Sequence, residues 1–407
     1  MGSPGGTGPD AVTASGPVYI GGMTAPIYLD HAATTPVRPE VLEAMLPFFG
    51  PRFGNPSSVH RWGREARVAL DEARERIAAC LGARGDEVVF TSCGTEGDNL
   101  AVLGAWRAAR SGTRLGVVTT PIEHKAVLAA VHQAASEGAE ERILAVDGSG
   151  TVDQASFYRL ADTSAAVCSI MWINNEIGVM QPIPELAAQA HDRGIVFHTD
   201  AVQAFGKVPI DVRTLPVDLL ALSGHKIGAP KGVGALFVRR GTPMQPLFFG
   251  GAQDRGRRPG TENVAFAVGL ARAAELTLAE CADECARLTT LRDTLETAIL
   301  ARVPDAVIHG RGGRRAPHII NVSVPGCDAE SLLMALDLRG IACSGGSACQ
   351  SGNAGASHVL QAIGVRGDLA ASAIRLSLGC LTTDADVARV ADVFPALAQK
   401  ARGAAAV

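Results

Sequence analysis

Asp218-Leu219-Leu220-Ala221-Leu222-Ser223-Gly224-His225-Lys226-Ile227-Gly228 runs from an apolar strand into a turn, and the turn carries a lysine. A lysine there can form a Schiff base with an aldehyde cofactor. A second apolar strand, Gly194-Ile195-Val196-Phe197-His198-Thr199-Asp200, ends on a carboxylate suited to a protonated pyridine nitrogen. Alone, each is ordinary: a lysine after a strand is usually a solvated surface residue, and a strand-end aspartate is usually a helix cap. Ligands of open α/β sheets, however, bind beyond the carboxyl ends of the strands, so the two residues should converge on one crevice. A strand with a carboxylate followed by a strand with a lysine is a pattern of pyridoxal phosphate enzymes.

Around these two strands, residues 39 to about 280 alternate helix and strand. A periodic helix spans Arg61 to Cys80, a strand Glu87 to Thr91, a helix starts near Glu96, and a strand lies near Leu115 to Thr119. Such alternation predicts α/β architecture with a doubly wound, mainly parallel sheet. The Ala-rich stretch Val264 to Ala301 reads as a helix leading to a smaller α+β domain, in which Ile319 to Val324 is a strand. The expected organisation is a tail at 1–22, a large domain at 37–280, and a small domain formed by 23–36 with 281–407. Residues 1–22 are rich in Gly, Pro, Ser and Thr and read as disordered. They are a start-site artefact, a linker or a docking arm.

With 407 residues, 47% hydrophobic and 19% charged, the chain can bury a sizeable core. A formal charge of -4 and the absence of a long Lys/Arg run argue against nucleic acid or an anionic membrane as partner. No stretch approaches a membrane span and no secretory signal opens the chain, which predicts a cytoplasmic protein. Nine cysteines without a Cys-x-x-Cys pair suit a reducing compartment and no metal site.

Further positions bear on chemistry. Thr91-Ser92-Cys93-Gly94-Thr95-Glu96 joins a strand to a helix, so the N–H groups around Gly94 and the Thr95 hydroxyl form either a phosphate seat or a plain capping turn. Ser223 and His225 offer donors to the same phosphate. His124 follows a strand and either stacks on a pyridine ring and shuttles protons or is a surface histidine. Asn175, in Asn174-Asn175-Glu176-Ile177-Gly178, either bonds the cofactor's phenolic oxygen or serves the turn.

Cys349 lies in Cys343-Ser344-Gly345-Gly346-Ser347-Ala348-Cys349-Gln350-Ser351-Gly352-Asn353-Ala354-Gly355, a composition that predicts a mobile loop and a thiol that is used. Arg375 interrupts an apolar strand, and a buried guanidinium needs an anion. A substrate carboxylate and a structural salt bridge are both open.

Tyr28-Leu29-Asp30-His31-Ala32-Ala33-Thr34-Thr35-Pro36, Phe53-Gly54-Asn55-Pro56-Ser57-Ser58, Asn174 to Gly178, His198-Thr199-Asp200-Ala201-Val202-Gln203 and Ser223 to Lys226 together resemble the cysteine desulfurases of the class V aminotransferase fold, from about Met23 to Ala401. The long loop after Cys349 resembles the NifS/IscS-like branch. The resemblance implies a type I fold of pyridoxal phosphate transferases, with Lys226 holding the cofactor, Asp200 at its ring nitrogen, and Gln203 and Asn175 at its phenolic oxygen. It further implies His124 on the ring face, and Gly94, Thr95, Ser223 and His225 at the phosphate. Thr261 would reach the phosphate of the neighbouring subunit in a homodimer, and Arg375 with Asn175 would orient the substrate carboxylate. L-cysteine would lose its sulfur to Cys349 as a persulfide and leave as alanine, with delivery to an iron–sulfur scaffold or a thiolation protein. Cys343 is either a structural cysteine or a further sulfur carrier. Two other readings are a selenocysteine lyase of the same fold and a sulfur-delivery cargo protein docked through residues 1–22.

Overall fold

The computed structural model describes residues 25–110, 112–345 and 357–404. Expectations placed on residues 1–22 and on Cys349 fall outside the described residues. Ile27–Tyr28 forms a first short strand, β1, and the helix Arg61–Leu81 precedes the large sheet. That sheet contains Val88–Thr91 (β2), Gly116–Thr119 (β3), Glu140–Ile143 (β4), Ala165–Ser169 (β5), Val196–Asp200 (β6), Leu219–Ser223 (β7) and Gly234–Val238 (β8), in the order β2-β8-β7-β6-β5-β3-β4. Strands β4, β3, β5, β6 and β7 run parallel, whereas β8 is antiparallel to both its neighbours. Two antiparallel steps restore direction, so β2 again points the same way as β7. The carboxyl ends of β2, β3, β5, β6 and β7 therefore open on one edge, and the winding reverses between β3 and β5, where α/β sheets place their ligands.

The pattern follows from residue type. Val88 to Thr91, Ala165 to Ser169, Leu219 to Ser223 and Gly234 to Val238 are buried at every position. Such runs need helices on both faces. One face packs the helix Arg61–Leu81 through Ala66, Leu70, Ala73 and Ile77. The other packs Gly94–Ala109 and Lys125–Ser136 through Leu100, Trp106, Val127 and Val131.

A second core gathers Leu288, Leu291, Leu295 and Ile299 of the helix Val264–Arg302 with Ile27, Leu29, Leu376 and Phe394. Its antiparallel sheet holds Val307–Ile308 (β9), Ile319–Ser323 (β10), Ser344–Gly345 (β12) and Ala373–Ser377 (β13), in the order β12-β13-β10-β9. Ile341–Ala342 (β11) pairs in parallel with β1. The segment after β1 continues along β13: His31 and Ala32 donate their N–H groups to the Ser377 carbonyl and hydroxyl at 3.2 and 2.9 Å. Residues 30–32 are thus tied to the small sheet, and the turn they begin reaches the strand ends of the large one. The 39-residue helix Val264–Arg302 contributes to both cores, Val264 to Ala274 to the first and Leu288 to Ile299 to the second.

Gly206 fixes how that helix meets the sheet. It sits at φ +73°, and a Cβ there would lie 2.1 Å from Cγ2 of Thr277. Gly206→Ala is expected to cost roughly 1–2 kcal/mol for the left-handed backbone alone, plus the displacement of the helix. Urea unfolding checks this: Thr277→Ser, which removes Cγ2, should recover the displacement part but not the backbone part.

Candidate active site

Every cofactor residue expected from sequence except Thr261 lines one cavity of about 280 Å³ at the strand ends: Gly94, Thr95, His124, Asn175, Asp200, Gln203, Ser223, His225 and Lys226, with Arg375. Lys226 stands on the turn after β7, and its Nζ donates to the carbonyl oxygens of Ala32 and Ala33, both at 2.7 Å. The turn is held by the same N-terminal segment, since the His225 carbonyl accepts from the Thr35 N–H at 2.8 Å. Nδ1 of His225 lies 3.2 Å from the Thr34 hydroxyl. Burial and the neighbouring Lys226 lower the His225 imidazole to about 4, so it is neutral and offers one N–H.

Asp200 closes β6 and is buried; its Oδ1 accepts from the Val202 N–H at 2.9 Å. Burial raises its carboxyl above the usual range, opposed by the Val202 N–H and the charge of Lys226. Two more buried carboxyls lie near it, one of them, Asp98, also lining the cavity. Asp98, beside Nε2 of His198 at 3.6 Å, is raised by burial and by Asp200. Glu123 accepts from the Thr120 hydroxyl at 2.6 Å and the Met171 N–H at 2.9 and 3.0 Å, and burial pushes it up to about 8. A cationic ring nitrogen at Asp200 would relieve this crowding of acids.

At the other end, the helix Gly94–Ala109 points its N-terminus into the cavity. A Cβ on Gly94 would lie 2.8 Å from Cγ2 of Val202, so only glycine lets the helix start so close. The Ser223 hydroxyl is buried with no partner. Glu96, whose charge would oppose an anion there, is engaged by Arg258 at 2.8 Å and by the Ser92 N–H at 2.7 Å. An orphaned hydroxyl, a helix N-terminus without a side-chain cap and a carboxylate at the far end suit a phosphorylated pyridine.

His124 caps the helix Lys125–Ser136, its Nδ1 accepting from the Ala126 N–H at 3.2 Å. Its proton therefore sits on Nε2. Arg375 is 1% exposed, bonds Oδ1 of Asp30 at 2.9 Å and the Asn175 carbonyl at 2.8 Å, and leaves Nε without a partner. Of the two sequence readings, the salt bridge is thus present, and the guanidinium also faces the cavity.

Thr261 is exposed and lines a different cavity, with Thr91, Ser92 and Arg258. It does not join its own chain's site. Cys343 falls between β11 and β12, partly buried, and burial together with Asp30 pushes its thiol up to about 12, which disfavours the thiolate.

Sequence reasoning missed several contributors. Asp30 and the Ala32 and Ala33 carbonyls lay within the quoted Tyr28–Pro36 motif but carried no assigned role. Asp98, Glu123 and Met171 sit in apolar or capping contexts that give no local signal. Glu176, buried and raised to about 7, bonds the hydroxyl of Ser357.

A family model described as aminotransferase class-V matches residues 27–390. The chain is 45% identical over 381 residues to cysteine desulfurase IscS of Dictyoglomus turgidum, covering 93% of this chain and 96% of that one. It is 46% identical over 377 residues to cysteine desulfurase NifS of Azotobacter vinelandii, covering 92% and 93%. Among solved structures, a NifS-like protein superposes with a TM-score of 0.86 at 34% identity, over 92% of this chain and all of that one. A NifS-like protein from Rickettsia africae gives 0.82 at 31% identity, covering 92% and 99%.

The raised Glu123 sets a sign for stability against pH. Between about 4.5 and about 8 the unfolded chain releases this proton while the folded chain keeps it, so its contribution is present at low pH and lost as pH rises. Glu123→Gln removes the titration. Its urea midpoint should improve relative to the unsubstituted protein from pH 5 to pH 8; an unchanged difference would contradict the assignment.

Proposed function

The chain belongs to the class-V aminotransferase family, and on that premise we propose that it is a cysteine desulfurase, taking sulfur from L-cysteine and releasing L-alanine. The observation that carries this reading is the convergence of Lys226, Asp200, Ser223 and Arg375 on one cavity. Pyridoxal phosphate is the cofactor that this donor set suits, and it supplies an electron sink that labilises bonds at the substrate's Cα and Cβ. Lys226 would hold its aldehyde carbon, Asp200 its ring nitrogen, Gln203 and Asn175 its phenolic oxygen, and Gly94, Thr95, Ser223 and His225 its phosphate.

The protein's own part is binding, orientation and proton handling. Arg375 meets the substrate carboxylate, with Asp30 and the Asn175 carbonyl fixing the plane of its guanidinium. Nε2 of His124 carries a proton toward the cavity, and the Lys226 amine, steadied between two carbonyls, takes or returns one. Cys349, assigned on the family motif, receives the sulfur: the substrate's C–S bond breaks, an S–S bond forms, and a proton ends on Cβ of alanine. The products are alanine and a persulfide on Cys349, delivered to an iron–sulfur scaffold or a thiolation protein.

The enzyme is further proposed to be a cytoplasmic homodimer. No helix among the described residues is long and apolar enough to cross a membrane. Phe248 and Phe249 are exposed, Phe249 at 90%, and Gly250 beside them lies against Pro259 in the loop that bears Thr261. Burying such a patch against a second copy would carry Thr261 toward the partner's phosphate site. We read residues 37–280 as the cofactor domain and 23–36 with 281–407 as the small one.

Incubation with L-cysteine, pyridoxal phosphate and reductant should give equal amounts of alanine and sulfide; no alanine would defeat the proposal. Lys226→Ala and Cys349→Ser should each lower turnover by about 10²–10⁴-fold. Phe249→Asp should shift the protein toward monomer in light scattering and weaken cofactor retention, whereas a monomeric parent protein would refute the shared site.

A further inference from the structure

Gln203 follows Asp200 by less than one helical turn and lines the cofactor cavity. Its side chain is held at both ends. One end donates to the Ala32 carbonyl at 2.9 Å, and a carbonyl only accepts, so that end must be the amide nitrogen. The amide oxygen therefore faces the other way, where Nε2 of His318 stands 3.2 Å from it. An amide oxygen also only accepts, so His318 carries its proton on Nε2 and gives it to Gln203.

His318 is 4% exposed, just before β10 of the small sheet, and its backbone carbonyl accepts from the Leu378 N–H at 2.8 Å. Nδ1 is buried without a partner. A neutral imidazole has one N–H, and this one is committed to Gln203. Burial favours the neutral form, as do the cations and imidazole facing it: Lys207, His31, Arg375 and Arg292.

We propose that His318 is a positioning residue for the cofactor, fixing the Gln203 amide so that its second N–H is presented to the cavity. One hydrogen bond lets a primary amide swing about that bond; two on opposite ends define its plane and hence the direction of the remaining N–H. The proposal rests on the reading of the site as a pyridoxal phosphate enzyme in which Gln203 addresses the phenolic oxygen. An N–H aimed there stabilises the ionised oxygen, so it lowers the pH at which the bound cofactor's visible band changes.

The test is a pH titration of that band in the holoenzyme. His318→Asn, too short to reach Gln203, should raise the midpoint by about one unit, a tenfold change in proton affinity. His318→Gln keeps a donor on a longer arm and should restore most of the shift. In a Gln203→Leu background, His318→Asn should move the midpoint no further. An unmoved midpoint in His318→Asn, or a shift that adds to that of Gln203→Leu, overturns the proposal. If His318→Asn does not fold, ¹⁵N NMR of the unsubstituted holoenzyme decides, because a proton on Nδ1 of His318 instead of Nε2 is incompatible with it. A parent protein that shows no visible band with pyridoxal phosphate overturns the cofactor reading and this proposal together; a banded parent with an unmoved midpoint overturns only the second.

Discussion

The carbonyl oxygen of Ala32 accepts from both Lys226 and Gln203, and the site depends on where that oxygen is placed. Ala32 is on neither of the strands that supply those side chains. Its backbone is tied to Ser377 of β13, so a strand of the small sheet sets the position of two groups at the ends of the large one. A carbonyl cannot donate, which makes the arrangement directional: everything around it must bring hydrogen. The small sheet supplies Arg375 and His318 to the same neighbourhood, so the site exists only when both cores are in register.

That dependence accounts for the distribution of polar groups. Asp98, Asp200 and Glu123 are neighbouring buried acids, a costly arrangement without a cation to face them. Ser223 is a hydroxyl buried without a partner. Buried acids and an orphaned hydroxyl persist where a ligand completes them, which is what the cofactor proposed for this cavity would do.

Much of this was legible in the sequence. Unbroken apolar runs ending in Asp200 and Ser223 announce buried parallel strands, and the β7-to-Lys226 junction fixes where chemistry sits. What could not be read was pairing across distance. The antiparallel β8 has the same apolar composition as its parallel neighbours, because burial on both faces, not direction, selects its residues. Arg375 announces that it needs an anion but not that Asp30, 345 positions away, supplies one. His318 looks like a loop residue until the fold brings it to Gln203.

The strand β12 ends at Gly345, opposite Ile374 and one step from Arg375, and the helix His358–Ala362 begins after Ser357, whose hydroxyl meets Glu176 next to Asn175. Both ends of the intervening stretch are therefore moored to neighbours of the groups proposed to grip the substrate carboxylate. Cys349 lies four residues beyond Gly345. Four residues reach at most about 14 Å at full extension, which bounds how far from Gly345 a sulfur bonded to Cys349 can lie. If Cys349 passes sulfur on as proposed, a recipient would have to dock within this radius of the rim, at the mouth of the cavity.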